Sequence, residues 1–95
     1  MKELIYILDD EPDILDLVDL SLSKAGFATA CFERWEALKA ALNEALPSLL
    51  VLDLMLPDAD GMQICRELRA DARFQNMPIV MLTARVGIAD PHQRP

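Results

Sequence analysis

The sequence predicts an α/β protein built on one doubly wound parallel sheet. Short apolar runs alternate with longer segments whose apolar residues recur at helical spacing, in the order βαβαβαβ. The runs lack polar alternation, which is typical of strands buried on both faces of a parallel sheet. With 95 residues, 53% of them hydrophobic, the chain has room for one compact domain, and its composition excludes intrinsic disorder. The crossovers are expected to be right-handed, with helices on both faces.

The first strand and helix carry the clearest signals. Residues 4–8 are continuously apolar and include branched and aromatic side chains. Pro12 then opens a helix, because a proline at the first helical position loses no hydrogen bond. Acids crowd the start of this helix and Lys24 lies at its end, as the helix dipole favours. Gly26 supplies the stop.

The second strand and helix are less regular. Residues 27–32 form a strand candidate that is weakened by its alanines. The following helix is predicted to end at Pro47. Its apolar stripe, on which Trp35 is expected to pack in or at the edge of the core, consists of Trp35, Leu38, Leu42, Ala45 and Leu46.

Two further strands complete the alternation. Residues 49–52 lead into Asp53, and after a loop a third helix begins near Gly61. A fourth strand, residues 78–82, ends at Thr83. Beyond Thr83 the apolar residues show neither helical spacing nor strand-like alternation, which indicates a coil or at most one helical turn.

Charge and cysteine content limit the classes of function. The net charge is −7, and residues 1–20 hold seven acids against one base. Because no basic patch is present, we expect no contact of this domain with nucleic acid. No apolar stretch approaches the roughly 18 residues of a membrane span and no signal peptide is visible, so we expect no membrane contact and a cytoplasmic location. Cys31 and Cys65 are expected to be free core thiols.

Polar groups follow three of the four strands. Asp9 and Asp10 come after the first, Asp53 after the third and Thr83 after the fourth. In an open parallel sheet, sites form at the carboxyl ends of strands, near the point where strand order reverses. Carboxylates gathered there without bases resist ionisation unless a cation joins them. Mg²⁺ prefers such oxygen ligands, so the pattern predicts a magnesium site; the alternative is that the acids only cap helix starts.

Three motifs stand at these strand ends in a fixed order. They are Ile7-Leu8-Asp9-Asp10-Glu11-Pro12, Leu50-Val51-Leu52-Asp53-Leu54-Met55-Leu56-Pro57-Asp58-Ala59-Asp60-Gly61 and Ile79-Val80-Met81-Leu82-Thr83-Ala84. Together they resemble the receiver domain of two-component response regulators, the module also known from the chemotaxis regulator. The resemblance covers residues 1–85 and implies a flavodoxin-like sheet in strand order 2-1-3-4-5. Residues 86–95 are then a tail outside the family pattern.

The resemblance implies roles for the matching acids. Asp53 corresponds to the phosphoacceptor, which becomes an acyl phosphate. Asp10 and Asp53 correspond to side-chain ligands of Mg²⁺, and Asp9 to the acid that holds the ion through water. The backbone carbonyl of Met55 corresponds to the remaining protein ligand.

Other matching positions surround the acids. Thr83 corresponds to the switch hydroxyl that binds the new phosphoryl group, and Ala84 to the small residue that leaves access to it. Pro57 and Gly61 correspond to positions that shape the loop. Gly61 either supplies a backbone conformation that other residues resist or simply begins a helix.

The sequence departs from the family after the fourth strand. The family has a lysine, followed by a proline, at the end of a fifth strand, and this lysine supplies a second cation. Only 12 residues follow Thr83, whereas a helix, a strand and another helix need about 27. The lysines of this chain, Lys2, Lys24 and Lys39, lie elsewhere. We therefore expect a sheet without the last helix, strand and helix, and impaired phosphorylation.

Two classes of function remain open. In the first, the chain is a regulatory phosphoacceptor, not an enzyme, that receives a phosphoryl group from a histidine kinase or phosphotransfer protein. In the second, it is a phosphorylation-deficient interaction module or fragment. An uncovered edge at residues 78–82 favours a homodimer or domain-swapped oligomer in either case. A metal-dependent phosphatase is disfavoured, because Met55 stands where such enzymes commonly have a second acid.

Overall fold

A computed structural model describes residues 2–57 and 59–82 of the chain. Its elements confirm the predicted alternation of strands and helices. In chain order they are β1 (Leu4–Leu8), α1 (Pro12–Lys24), β2 (Ala28–Phe32), α2 (Trp35–Glu44), β3 (Leu49–Asp53), α3 (Gly61–Ala70), a short 3-10 helix (Ala72–Phe74) and β4 (Ile79–Leu82).

The four strands form one parallel sheet in the order β2-β1-β3-β4. From β1 the chain moves to β2 at one edge of the sheet, and it then returns past β1 to form β3 and β4 on the other side of that strand. The strand order therefore reverses between β1 and β3. Leu8 of β1 is paired with Leu52 of β3, and Asp53 is paired with Leu82 of β4. The carboxyl ends of these three strands therefore lie side by side.

Side chains of the sheet alternate between two hydrophobic clusters. The larger cluster joins Tyr6 and Leu8 to buried residues of α2, α3 and the 3-10 helix. The smaller cluster joins Ile5 and Ile7 to Leu15 of α1. Because successive strand residues point to opposite faces, α1 covers one face while α2 and α3 cover the other. The sheet is thus doubly wound, as predicted.

Helix α1 begins and ends at the residues that the sequence indicates. Pro12 lies in its first turn, and Gly26 follows its end with φ of 99°, in the left-handed region that glycine favours. Asp19 attaches the helix to the edge strand β2, because its carboxylate accepts hydrogen bonds from the hydroxyls of Thr29 and Ser23.

The second helix is shorter than predicted. It ends at Glu44, and Ala45 is extended, with φ of −153° and ψ of 140°. A proline disfavours helical backbone at the residue before it, so Pro47 ends the helix earlier than its own position. Leu46 is exposed as a result. Trp35 packs in the core, as predicted, with the Lys39 Nζ 5.4 Å from its ring centroid.

The cysteines are free, as predicted, but the prediction that both are core thiols is wrong. Cys31 is exposed and Cys65 is half-buried. Cys31 lies on the edge strand β2, whose neighbours Ala30 and Phe32 pack against the larger cluster. Alternation therefore turns Cys31 to the opposite face, where partial burial, followed by the charges of Asp19 and Asp16 on α1, raises the pKa of its thiol.

Parts of the predicted organisation lie outside the described residues. These are the end of the family resemblance at residue 85, the tail at residues 86–95, and both Thr83 and Ala84. Within residues 2–57 and 59–82, no helix has the length and apolar character that crossing a bilayer requires.

The larger cluster is expected to dominate stability. Leu38 of α2 is 0% exposed, and removing a buried leucine side chain leaves a cavity. Leu38→Ala should therefore lower the free energy of unfolding by about 2–5 kcal/mol, measured by urea denaturation. The matched control is Leu20→Ala in α1, where the side chain is 55% exposed. A loss at Leu20 as large as that at Leu38 would contradict this account of the core.

Candidate metal centre

Three aspartates meet where β1 and β3 end. Because Leu8 is paired with Leu52, the residues that directly follow this pair, Asp9 and Asp53, lie side by side. Asp10 follows immediately. One carboxylate oxygen from each of Asp9, Asp10 and Asp53 lies within 4.8 Å of the other two. The pairing of two central strands thus gathers the acids that the sequence singled out.

Backbone amides hold two of the three carboxylates. Asp9 Oδ1 accepts a hydrogen bond from the Glu11 amide at 2.9 Å. Asp53 Oδ1 accepts one from the Met55 amide at 3.2 Å. In both cases an aspartate binds the backbone two residues ahead, a turn for which its short side chain is suited. Each acid is therefore oriented by the loop that it begins.

Burial and like charge make the site unfavourable for ionised carboxylates. Asp9 is 4% exposed and Asp53 7%, while Asp10 is half-buried. Burial, followed by the charges of Asp9 and Asp10, raises the pKa of Asp53. Burial, followed by the charges of Asp10 and Glu11, raises the pKa of Asp9. The backbone hydrogen bonds act in the opposite direction without cancelling the rise.

The donor set fits a small divalent cation. All three side chains offer oxygen, the ligand that Mg²⁺ prefers. Among the described residues, no side chain forms a salt bridge with these carboxylates. The ion pair that those residues contain joins Arg73 to Asp71, beyond the far end of α3. A bound cation would balance charges that the described residues leave unbalanced at this edge.

The loop after β3 closes onto the start of α3. Met55 and Asp60 form an antiparallel bridge, and the Gly61 amide donates to the Leu54 carbonyl at 3.0 Å. Asp60 caps α3, because its carboxylate accepts from the Met62 amide at 3.0 Å. Met55 therefore lies in a tied loop directly beside Asp53, the position that the resemblance implied for a ligand carbonyl.

Gly61 begins α3 with an ordinary helical start. Among the described glycines only Gly26 has a positive φ, so of the two readings of Gly61 the helix start is right. Sequence reasoning missed the spatial requirement at this position, where a Cβ would lie 2.5 Å from the Asp53 carbonyl oxygen. The pair Asp60-Gly61 before an apolar stripe was the available signal, and it indicates only a capped helix.

Comparison with known proteins identifies the family. The response regulator receiver domain family matches residues 5–93. The chain belongs to this family. Receiver domains are regulatory modules of two-component signalling that bind Mg²⁺ at an acidic pocket and interact with histidine kinases or phosphotransfer proteins.

Relatives and solved structures agree with this membership. The transcriptional regulatory protein GltR of Pseudomonas aeruginosa is 43% identical over 86 residues, which are 90% of this receiver domain and 36% of that protein. The DNA-binding response regulator MtrA of Mycolicibacterium smegmatis is 39% identical over 90 residues, 95% of this chain and 38% of that protein. The crystal structure of a sensor protein from Polaromonas sp. JS666 matches with a TM-score of 0.83 and 31% identity, covering 100% of this chain and 78% of that one. The chain thus spans less than two fifths of these two regulators.

Removing one charge from the receiver site should stabilise the metal-free protein. Because folding raises the pKa of Asp9 and Asp53 above the ordinary 3.8, the native state holds protons that the unfolded chain releases. The free energy of unfolding therefore falls as the pH rises from the ordinary aspartate pKa through the raised pKa of the folded protein. We expect Asp53→Asn to raise the free energy of unfolding at pH 7 by about 0.5–2 kcal/mol, measured by urea denaturation in EDTA, and to give no gain below the ordinary aspartate pKa.

The control for this prediction is Asp60→Asn, which removes an exposed charge and keeps a side chain that can cap α3. Equal effects of the two variants at pH 7, or a gain from Asp53→Asn that persists in acid, would contradict the assigned origin of the pKa shifts.

Proposed function

We propose that this receiver domain accepts a phosphoryl group on Asp53 in a reaction that requires Mg²⁺. The proposed ligands of the ion are the carboxylates of Asp10 and Asp53, the carbonyl of Met55 and, through water, Asp9. The observation that carries the proposal is the meeting of three carboxylates within 4.8 Å at the adjacent ends of β1 and β3. Membership of the family supports it, because receiver domains take part in two-component signalling.

Phosphoryl transfer requires the protein mainly to position the nucleophile and to neutralise charge. An oxygen of the Asp53 carboxylate attacks phosphorus while the bond from phosphorus to the donor breaks, so an acyl phosphate forms and the donor leaves with the bonding electrons. When bound, Mg²⁺ supplies the positive charge that favours ionised carboxylates and neutralises the phosphoryl oxygens. The Met55 amide, which binds Asp53 Oδ1 at 3.2 Å, orients the carboxylate for attack.

Thr83 is proposed to bind the transferred phosphoryl group and relay its presence, and Ala84 to leave access to Asp53. Both lie outside the described residues. What supports the proposal is register, because Leu82 is paired with Asp53 and Thr83 follows Leu82 in the chain. A hydroxyl after this strand would thus belong to the same edge of the sheet as the acids.

The described lysines do not supply a second cation to the acids. Lys2 precedes β1 and Lys24 ends α1, both at the opposite end of the strands from Asp53. Lys39 lies over the Trp35 ring. We therefore propose that the chain by itself reacts slowly with phosphodonors. The same observation favours a second candidate, a receiver domain that does not become phosphorylated and acts only through its contacts with partners.

Reaction with a small donor distinguishes these candidates. The chain is incubated with acetyl phosphate, with and without Mg²⁺, and its intact mass is measured. We expect the mass of one phosphoryl group to be gained only with Mg²⁺, and the gain to be absent in Asp53→Asn, because the attacking oxygen is lost. The control Asp60→Asn should gain it as the wild type does. No Mg²⁺-dependent gain, and no binding of beryllofluoride, would contradict the phosphoacceptor role and favour the second candidate.

The edge of β4 supports a further proposal, a homodimer or domain-swapped oligomer. Among the strands that the structure describes, β4 pairs on one side only, with β3. Val80 is 50% exposed, and alternation with Ile79 and Met81, which pack on the larger cluster, places it on the α1 face. An edge that the described strands leave unpaired, beside an apolar side chain, favours pairing with a second copy of the chain.

Light scattering at micromolar concentrations tests this association. We expect a mass above that of the monomer, and a shift toward the monomer in Val80→Lys, since a charge on an edge strand opposes pairing. Leu20→Lys is the control, because Leu20 is similarly exposed but lies on α1. A monomeric wild type would contradict the proposal, as would an equal change of mass in Val80→Lys and Leu20→Lys.

A further inference from the structure

The start of α3 lies against the backbone of β3 at a distance that admits no side chain. A Cβ placed on Gly61 would be 2.5 Å from the Asp53 carbonyl oxygen and 2.6 Å from Leu54 Cα, whereas real Cβ atoms essentially never approach within 3.0 Å. Both neighbours are backbone atoms, so no change of rotamer relieves the contact. Since φ of Gly61 is not positive, the position requires glycine for space rather than for conformation.

Neither side of this contact can move freely. On the α3 side, Ile64 and Leu68 are buried in the larger cluster and fix the helix. On the β3 side, Asp53 belongs to a strand that is paired with both of its neighbours. An added methyl group would therefore displace the short stretch between them, which begins at Leu54.

This stretch carries one of the proposed ligands of the ion, the Met55 carbonyl, and it orients a second, the Asp53 carboxylate. The Leu54 carbonyl accepts the Gly61 amide at 3.0 Å. Met55, the next residue, donates its amide to Asp53 Oδ1 and is proposed to offer its carbonyl to Mg²⁺. A displacement of Leu54 thus reaches the carboxylate and the carbonyl together. Asp9 and Asp10 follow β1 and are not part of this stretch.

We propose that Gly61 is a positioning residue for the metal centre, which sets the ligands contributed by Asp53 and Met55 through its contact with the backbone at residues 53–54. This inference rests on the proposed function, since it assumes that the acids bind Mg²⁺. Mg²⁺ demands near-ideal octahedral geometry with ligands at about 2.0–2.1 Å. A shift of a few tenths of an ångström at two of its ligands is therefore felt as lost affinity.

The coupling acts in both directions. If the contact at Gly61 favours the ion, binding of the ion must favour the contact by the same factor. Mg²⁺ should therefore slow hydrogen exchange at the Gly61 amide, which is bonded to the Leu54 carbonyl. This effect can be measured in the unmodified chain.

The test compares Gly61→Ala with Gly26→Ala by calorimetric titration with Mg²⁺ and by thermal unfolding. Gly26 has φ of 99° with nothing within 4 Å of an added Cβ, so alanine there strains the backbone far from the acids. Both variants should unfold at lower temperature than the wild type. Only Gly61→Ala is expected to bind Mg²⁺ more weakly, by about 10–100-fold, the range typical of groups that orient metal ligands.

The outcomes separate this inference from the proposed function. Failure of the wild type to bind Mg²⁺ overturns the metal centre and the role of Gly61 together. Equal affinity in the wild type and Gly61→Ala overturns the role of Gly61 alone, as does an equal loss in Gly26→Ala. If Gly61→Ala does not fold, exchange at the Gly61 amide decides: slowing by Mg²⁺ supports the proposal, and unchanged exchange with Mg²⁺ bound overturns it.

Discussion

The parallel pairing of β1 with β3 is the constraint on which the rest of the structure depends. These strands lie at the centre of the sheet and are buried on both faces by the two hydrophobic clusters. Their register sets Asp9 beside Asp53, so the position of the acids follows from apolar residues that take no part in their chemistry. The cores hold in place a group of like charges that would otherwise separate.

The same arrangement explains how the net charge of the chain is divided. The acids of the first 20 residues have two uses, because Asp9 and Asp10 enter the buried group at the strand ends while others lie on α1. Burial and like charge raise the pKa of Asp9 and Asp53, so these two carboxylates disfavour folding when ionised, whereas Asp13 and Asp16 on α1 are exposed. Asp19 also has a structural role, since its carboxylate ties α1 to β2 by accepting a hydrogen bond from Thr29.

Much of the fold could be predicted from the sequence because each element is consistent with its surroundings. The apolar runs of β1 and β3 match burial on both faces, and Pro12 and Gly26 bound α1 by local chemistry. The placement of Asp9, Asp10 and Asp53 could be predicted because parallel strands share one carboxyl edge. The early end of α2 and the exposure of Cys31 depended on a following proline and on an edge position. The close contact of Gly61 arises only when α3 packs on the sheet, so local pattern carried no sign of it.

The crossover connections have a kinetic consequence. Strand β1 pairs with no segment next to it in the chain: Leu4 is paired with Ala28, and Ile5 with Leu49. Pairing of this kind requires long loops to close, and the chain loses that entropy before any stabilising contact forms. Such topologies are therefore slow to fold. Asp9 and Asp10 therefore meet Asp53 only after β3 has docked beside β1, and a cation bound by all three carboxylates could not guide the early steps of folding. Such a cation would act on the assembled protein, chiefly by delaying unfolding.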